Sequence, residues 1–155
     1  MKFKLPLIAA FVAMLSLTAC GGGSSGSSSS PSSPVAESPA TLTYSETVAG
    51  TGATVATTSY ATIKYTGWLY SASAADHKGT QFDTGTINPN GMSSNPLYKV
   101  TDFVPGFTQG ITGAKAGAKR TIYVPGSLGY GAAGIPGKIP ANAGLVFDVE
   151  IVAVF

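Results

Sequence analysis

The sequence predicts an α+β domain, mostly strand with a single short helix. Three observations support this. From Leu145 onward, Leu145, Phe147, Val149, Ile151, Ala153 and Phe155 are apolar at every second position, and Asp148 and Glu150 fall on the other face. That is the period of a strand with one buried side. Residues 60–70 and Lys119–Val124 alternate in the same way. One stretch, beginning at Pro105, spaces Phe107, Ile111 and Ala114 as one face of a helix, and proline suits the first helical position.

The chain divides into residues 1–19, 20–39 and 40–155. Lys2 and Lys4 give a positive start, residues 5–17 are apolar, and LTAC closes the run at Cys20. The apolar run is too short to span a bilayer comfortably, and the layout is that of a secretory signal with a small-residue cleavage site. Cys20 is the single cysteine, so it has no internal disulfide partner. Residues 21–39, GGGSSGSSSSPSSPVAESP, have almost nothing to bury and read as a flexible tether. A Gly/Ser chain of this length reaches on the order of 25 Å.

LTAC resembles the lipobox of bacterial lipoproteins. The resemblance implies that the signal is cut before Cys20, that its thiol is diacylated and that the new amino group is acylated. An ordinary signal with an incidental cysteine is the alternative, disfavoured because the one cysteine sits at the cut. Several acyl chains anchor stably where one does not. Gly21 after the cysteine resembles the outer-membrane sorting pattern, which implies a lipid-anchored place in the bacterial cell envelope, at the outer membrane facing the periplasm.

In the third segment, Leu42 and Tyr44 alternate with Thr41, Thr43 and Ser45, predicting a first strand. Gly50 and Gly52 mark a turn. Across residues 60–70, Ile63, Tyr65, Gly67 and Leu69 share one side, opposite Thr62, Lys64 and Thr66. Trp68 falls on the polar side and reads as a packing residue beneath a loop. Residues 71–79 form a polar loop with His77, which is expected to be solvated. Phe82 and Asp83 follow, then a Gly/Asn/Ser/Pro loop over 88–95 and a short strand over 96–100. Gly106, Gly110 and Gly113 make the helix poor by propensity, so packing must hold it. Ile122 and Val124 point inward. A Gly/Pro loop with Tyr130 in its middle then runs over the mouth of the sheet and leads into the last strand.

The same inventory narrows the chemistry. His77 is the one histidine and has no Cys, Asp or Glu at ligand spacing, so no metal or cofactor site is predicted. No serine stands in a nucleophile motif. The whole chain carries 9 basic and 7 acidic side chains. Lys2 and Lys4 leave with the signal, and the balance of the remainder argues against nucleic acid and against a polybasic membrane patch.

The motifs carry more. LGYG, AAGIPGKIPANA and LVFDVEI, in this order, with YTGWL from Tyr65 and GTQFD from Gly79, closely resemble FKBP-type peptidyl-prolyl cis-trans isomerases. The resemblance covers roughly residues 41–155. It implies an FKBP-like twisted antiparallel β-sheet, a half-barrel, wrapped around one short α-helix with a proline-binding pocket between them. It implies Phe107 as the pocket floor and Tyr65, Phe82 and Phe147 as walls. Phe103 and Val104 line the site, with the Val104 amide a donor to the peptide. Tyr130 offers its hydroxyl from the rim, and Ile135 and Ile139 form a flap. Asp83 stands near the rotating carbonyl, held by the Tyr65 hydroxyl. Read singly, Phe82, Phe107 and Phe147 are ordinary core, Tyr65 and Tyr130 are rim aromatics, and Asp83 is a turn residue. Their joint occurrence at family spacing favours the site.

Two departures from the family pattern matter. Phe107 stands where Trp is usual. Residues 84–95 hold no Arg or Lys, where many members brace the aspartate, so Asp83 is expected to be less firmly held.

The implied reaction suits this inventory. An X–Pro amide rotates slowly because of its double-bond character. The twisted amide is less polar than the planar one, so an apolar pocket with a few fixed donors favours it without nucleophile or metal. The expected partners are X–Pro segments of unfolded or exported proteins, the membrane through the lipid anchor, and macrolide inhibitors of the rapamycin type. Two readings compete with an isomerase that assists folding of exported proteins. One is a Pro-peptide-binding chaperone or adhesion module on the same fold with weak catalysis or none. The other is a structural envelope lipoprotein, against which the aromatic motifs argue.

Overall fold

A computed structural model describes residues 36–88 and 99–155. The signal, Cys20, most of the tether, and most of the 88–95 loop and of the expected 96–100 strand lie outside the described residues. Within them, five strands form one sheet: β1 (Thr43–Val48), β2 (Ala61–Tyr70), β3 (Lys78–Ile87), β4 (Lys119–Val124) and β5 (Leu145–Val154). The spatial order is β1-β4-β5-β2-β3 and every neighbouring pair is antiparallel. One helix, α1 (Pro105–Ile111), lies on the inner face.

β5 is central because its alternation is the strongest. Leu145, Phe147, Val149 and Ile151 are all buried against the helix side. Its outer face is not wholly polar, since Val146 is fully buried there, flanked in register by Trp68 and Tyr123. The alternation also stops short of the end of the chain: Phe155 lies beyond the strand and is 63% exposed. The sheet bends at irregularities in β1, β2 and β3, between Glu46 and Val48 and on both sides of Trp68. Such bulges increase the twist of a strand, which wraps the sheet about the helix.

The helix is held by contact rather than by propensity. A Cβ at Gly106 would overlap Val124, and one at Gly110 would overlap Ile122. The two glycines, one turn apart, let the helix backbone sit directly on β4. Pro105 opens the helix, and Gly113 at φ +79° turns the chain away after Thr112. Ala114 lies past the helix end, yet is fully buried.

Arg120 is the one charged core residue among those described, 7% exposed. Its Nη1 donates to the carbonyls of Gly110 (3.0 Å) and Thr112 (3.3 Å), and its Nε donates to Glu46 at 2.8 Å. The guanidinium also lies 4.4 Å from the centre of the Tyr44 ring. One side chain thus ties the helix C-terminus, where a cation is favourable, to β4 and β1.

The structure sharpens four readings of the sequence. β1 is a strand, but all six of its residues are exposed, Tyr44 at 53%. It is an edge strand fastened by β4 and Arg120. The stretch holding Phe82 and Asp83 is a full ten-residue strand, paired along β2. In the 96–100 segment, Lys99 makes only an isolated bridge with Tyr60, and Val100 begins a short 3-10 turn. His77 is half-buried rather than solvated: its ring stacks on Tyr70 at 5.0 Å and meets the edge of Tyr123 at 5.9 Å. Trp68 packs under the Lys78 ammonium, 4.7 Å from its ring centre. Among the described residues, no helix is long and apolar enough to cross a membrane.

Candidate functional site

The site is an aromatic box where α1 meets β2, β3 and β5. Phe107 stands at its centre, one turn into the helix and 3% exposed. Three rings meet it edge to face: Phe147 of β5 at 5.1 Å, Phe103 just before the helix at 5.3 Å, and Tyr65 of β2 at 6.2 Å. Phe82 of β3 joins the box through Phe147 at 5.7 Å. Such edge-to-face pairs add to plain area burial. Phe107 and Phe147 (4% exposed) belong to the hydrophobic core as well as to the box.

Gly67 makes the box possible. It is buried in β2, and a Cβ there would come within 2.6 Å of the Phe82 ring and 3.0 Å of Phe147. The two rings pass over the strand because the residue beneath them has no side chain. Sequence reasoning placed Gly67 on the inner side but gave it no function.

The polar part of the site is small. The Tyr65 hydroxyl donates to Asp83 Oδ2 at 2.9 Å. Burial, and then the bonded carboxylate, push the Tyr65 hydroxyl up to about 12. Tyr130, 36% exposed on the rim, is also raised, first by burial and then by the charge of Asp83. Tyr65, Tyr130 and Asp83 therefore share one locality, with both phenols held as neutral donors at ordinary pH. Val104 is the N-cap of α1, and its carbonyl accepts from the Phe107 and Thr108 amides.

Ile135 and Ile139 close a tight hairpin. The Ile135 amide donates to the Ile139 carbonyl at 2.7 Å and the Ile139 amide to the Ile135 carbonyl at 2.8 Å. Ile139 is buried in the core at 3% exposure, and Ile135 is half-buried against it. Between them Lys138 brings its Nζ to 4.0 Å from Asp83 Oδ1. Asp83 therefore does face a cation, supplied by the hairpin rather than by the residues that follow it in β3. The lysine was visible in the sequence, but its pairing with Asp83 follows only from the fold. Among the described residues, no group of His, Cys, Asp and Glu is placed to hold a metal.

Residues 52–152 match the family model of FKBP-type peptidyl-prolyl cis-trans isomerases. The chain is 38% identical over 90 residues to FK506-binding protein 1 of Gibberella zeae, covering 58% of this chain and 77% of that protein. It is 35% identical over 94 residues to the FK506-binding protein of Neisseria meningitidis serogroup A, covering 61% and 78%. The fold is similar to the crystal structure of FkpA from Escherichia coli, with a TM-score of 0.58 and 29% identity, covering 79% of this chain and 53% of that one.

Proposed function

Because this chain belongs to the FKBP-type peptidyl-prolyl cis-trans isomerase family, we propose that it isomerises X–Pro bonds of exported proteins while anchored to a membrane through lipid on Cys20. The observation that carries the catalytic part is the aromatic box around Phe107 with the Tyr65–Asp83 pair at its edge. We take this box as the receptor for the proline ring. Phe107 is its floor, Tyr65, Phe82 and Phe147 are its walls, and Phe103 lies beside it.

The chemistry follows from what the box lacks. The planar amide owes its stability partly to charge separation between oxygen and nitrogen, which a wet site would solvate. An apolar box withholds that solvation, so the ground state loses more than the twisted state. Tyr130 and the Val104 amide are the donors for the peptide carbonyls, fixed in advance. Ile135 and Ile139 cover the proline. The Asp83 carboxylate presents negative charge toward the rotating amide and is held by the Tyr65 hydroxyl. No bond to the protein forms or breaks.

The cellular half of the proposal is supported by the leader: a positive start, a short apolar run, LTAC at the one cysteine and a Gly/Ser/Pro tether. Enzyme so tethered works on chains just off a membrane surface. Named relatives are FK506-binding proteins, which supports macrolides of that class, and of the rapamycin type, as competitors for the box.

The test follows cis/trans exchange of a short X–Pro peptide by NMR, with the full chain in detergent, with and without rapamycin. Faster exchange that the drug suppresses is expected. Binding without faster exchange would favour the chaperone reading, for which Phe107 in place of Trp is the motivating feature. Absence of both binding and acceleration would sink the proposal.

A further inference from the structure

Asp83 has two partners from separate parts of the chain. Tyr65 of β2 donates to Oδ2. Lys138 stands 4.0 Å from Oδ1, with side chains 49% and 43% exposed respectively. Lys138 is carried by a stiff arm. The bonds between Ile135 and Ile139 close the hairpin, the Lys138 amide donates to the Ile135 carbonyl at 2.9 Å, and Ile139 roots the arm in the core. Among the described residues, the titratable groups around Asp83 are Tyr65 from β2, Tyr130 from the long loop and Lys138 from the hairpin. Of these Lys138 alone is a cation, and residues 84–95 offer none.

Resting on the isomerase reading above, we propose that Lys138 is a positioning residue: its ammonium orients the Asp83 carboxylate and, by the same contact, holds the hairpin over the proline box. The carboxylate is gripped from two sides, a hydroxyl on one oxygen and a cation on the other. A neutral side chain at 138 leaves Oδ1 to water and leaves the hairpin without a tie to β3. At 4.0 Å the contact is ionic rather than a hydrogen bond, and its half-exposed setting makes it modest and sensitive to salt.

The test is a double-substitution cycle on the full chain, with Lys138→Met, Asp83→Asn, both together, and Lys138→Arg. Lys138→Met is expected to lower kcat/KM about two- to fivefold, the range open to a half-exposed ion pair, chiefly through kcat. Lys138→Arg restores it, and Lys138→Met has no further effect once Asp83→Asn is present. Added salt lowers the unsubstituted protein toward the Lys138→Met value and leaves that variant unmoved. Independent losses that multiply would mean that Lys138 touches the peptide directly, and an unchanged rate would mean that the contact is idle; either overturns the proposal. The Asp83 carboxyl carbon resonance in the free protein gives a readout separate from activity. It shifts in Lys138→Met and returns in Lys138→Arg if the contact exists, whether or not the chain accelerates exchange.

Discussion

The Tyr65 hydroxyl donates to Asp83 across 2.9 Å, joining β2 to β3 at the edge of the aromatic box. Replacing Tyr65 by Phe keeps the ring against Phe107 and removes only this bond. The isomerase rate is expected to fall about three- to tenfold, the scale of an ordinary net hydrogen bond, because water can reach the half-exposed carboxylate in place of the hydroxyl. NMR exchange measurements on the variant check it.

The same pair sets an alkaline limit. Folded, Tyr65 keeps its proton up to about 12, whereas its ordinary value is 10.0. Between these values the unfolded chain holds fewer protons, so rising pH favours unfolding. The contribution is complete below 10.0 and is lost as pH climbs toward about 12. Thermal unfolding should show a smaller fall in Tm between about pH 9 and about pH 11 for Tyr65→Phe than for the unsubstituted protein.

Gly67→Ala places a methyl group where Phe82 and Phe147 pass. Overpacking of this kind costs about 1–3 kcal/mol. Because the displaced rings are the walls of the box, the exchange rate should fall together with Tm. An unchanged rate would show that the walls lie elsewhere.

Phe107→Ala removes the floor and leaves a cavity in the core, at a cost of about 3–5 kcal/mol. Asp83→Val, at a side chain 43% exposed, should lower the rate with little change in Tm. Denaturant unfolding beside rate measurements separates the two variants. Equal rates in both variants and the unsubstituted protein would mean the pocket is misplaced.

Arg120→Met strands Glu46 and leaves the Gly110 and Thr112 carbonyls without their donor. The cost, about 2–3 kcal/mol, comes from the carbonyls left without a donor rather than from Glu46, which is partly exposed. Glu46→Gln should cost less than about 1 kcal/mol. Urea midpoints of the two variants give the comparison.

Cys20→Ser keeps the domain and removes the proposed acylation point. Isomerase activity should persist while the protein leaves the membrane fraction. A variant that stayed with the membrane would refute the lipid anchor.

What the sequence revealed depended on how each residue is used. β2, β4 and β5 were legible because one face of each is more deeply buried than the other, Val146 on the outer face of β5 apart, which writes a period of two. β3, KGTQFDTGTI, has little buried apolar surface of its own and exists by pairing with β2, so no such period marks it. β1 is exposed throughout and is likewise held by its neighbour. Arg120 was hidden because a charge in an alternating strand is ordinarily read as facing water. Motif wording, not periodicity, singled out the rings that meet around Phe107, because periodicity cannot separate a pocket floor from core. The packing of two rings over Gly67 and the approach of Lys138 to Asp83 were not legible because both are relations between residues distant in the sequence. A missing Cβ matters only once two rings cross it, and a lysine matters only once a carboxylate arrives beside it.

The strand order carries a consequence for how the protein is made. β5 joins β4 to β2, yet it follows both in the chain. Until it arrives, the ribbons β1–β4 and β2–β3 have no shared core, and α1 has only part of its seat. Nearly all the pairing that closes the sheet is long-range in sequence, which makes folding late and comparatively slow. A nascent chain of this kind stays pliable while most of it is still emerging. If the chain is exported as proposed, that delay lets it pass a translocation channel before it has a structure to undo.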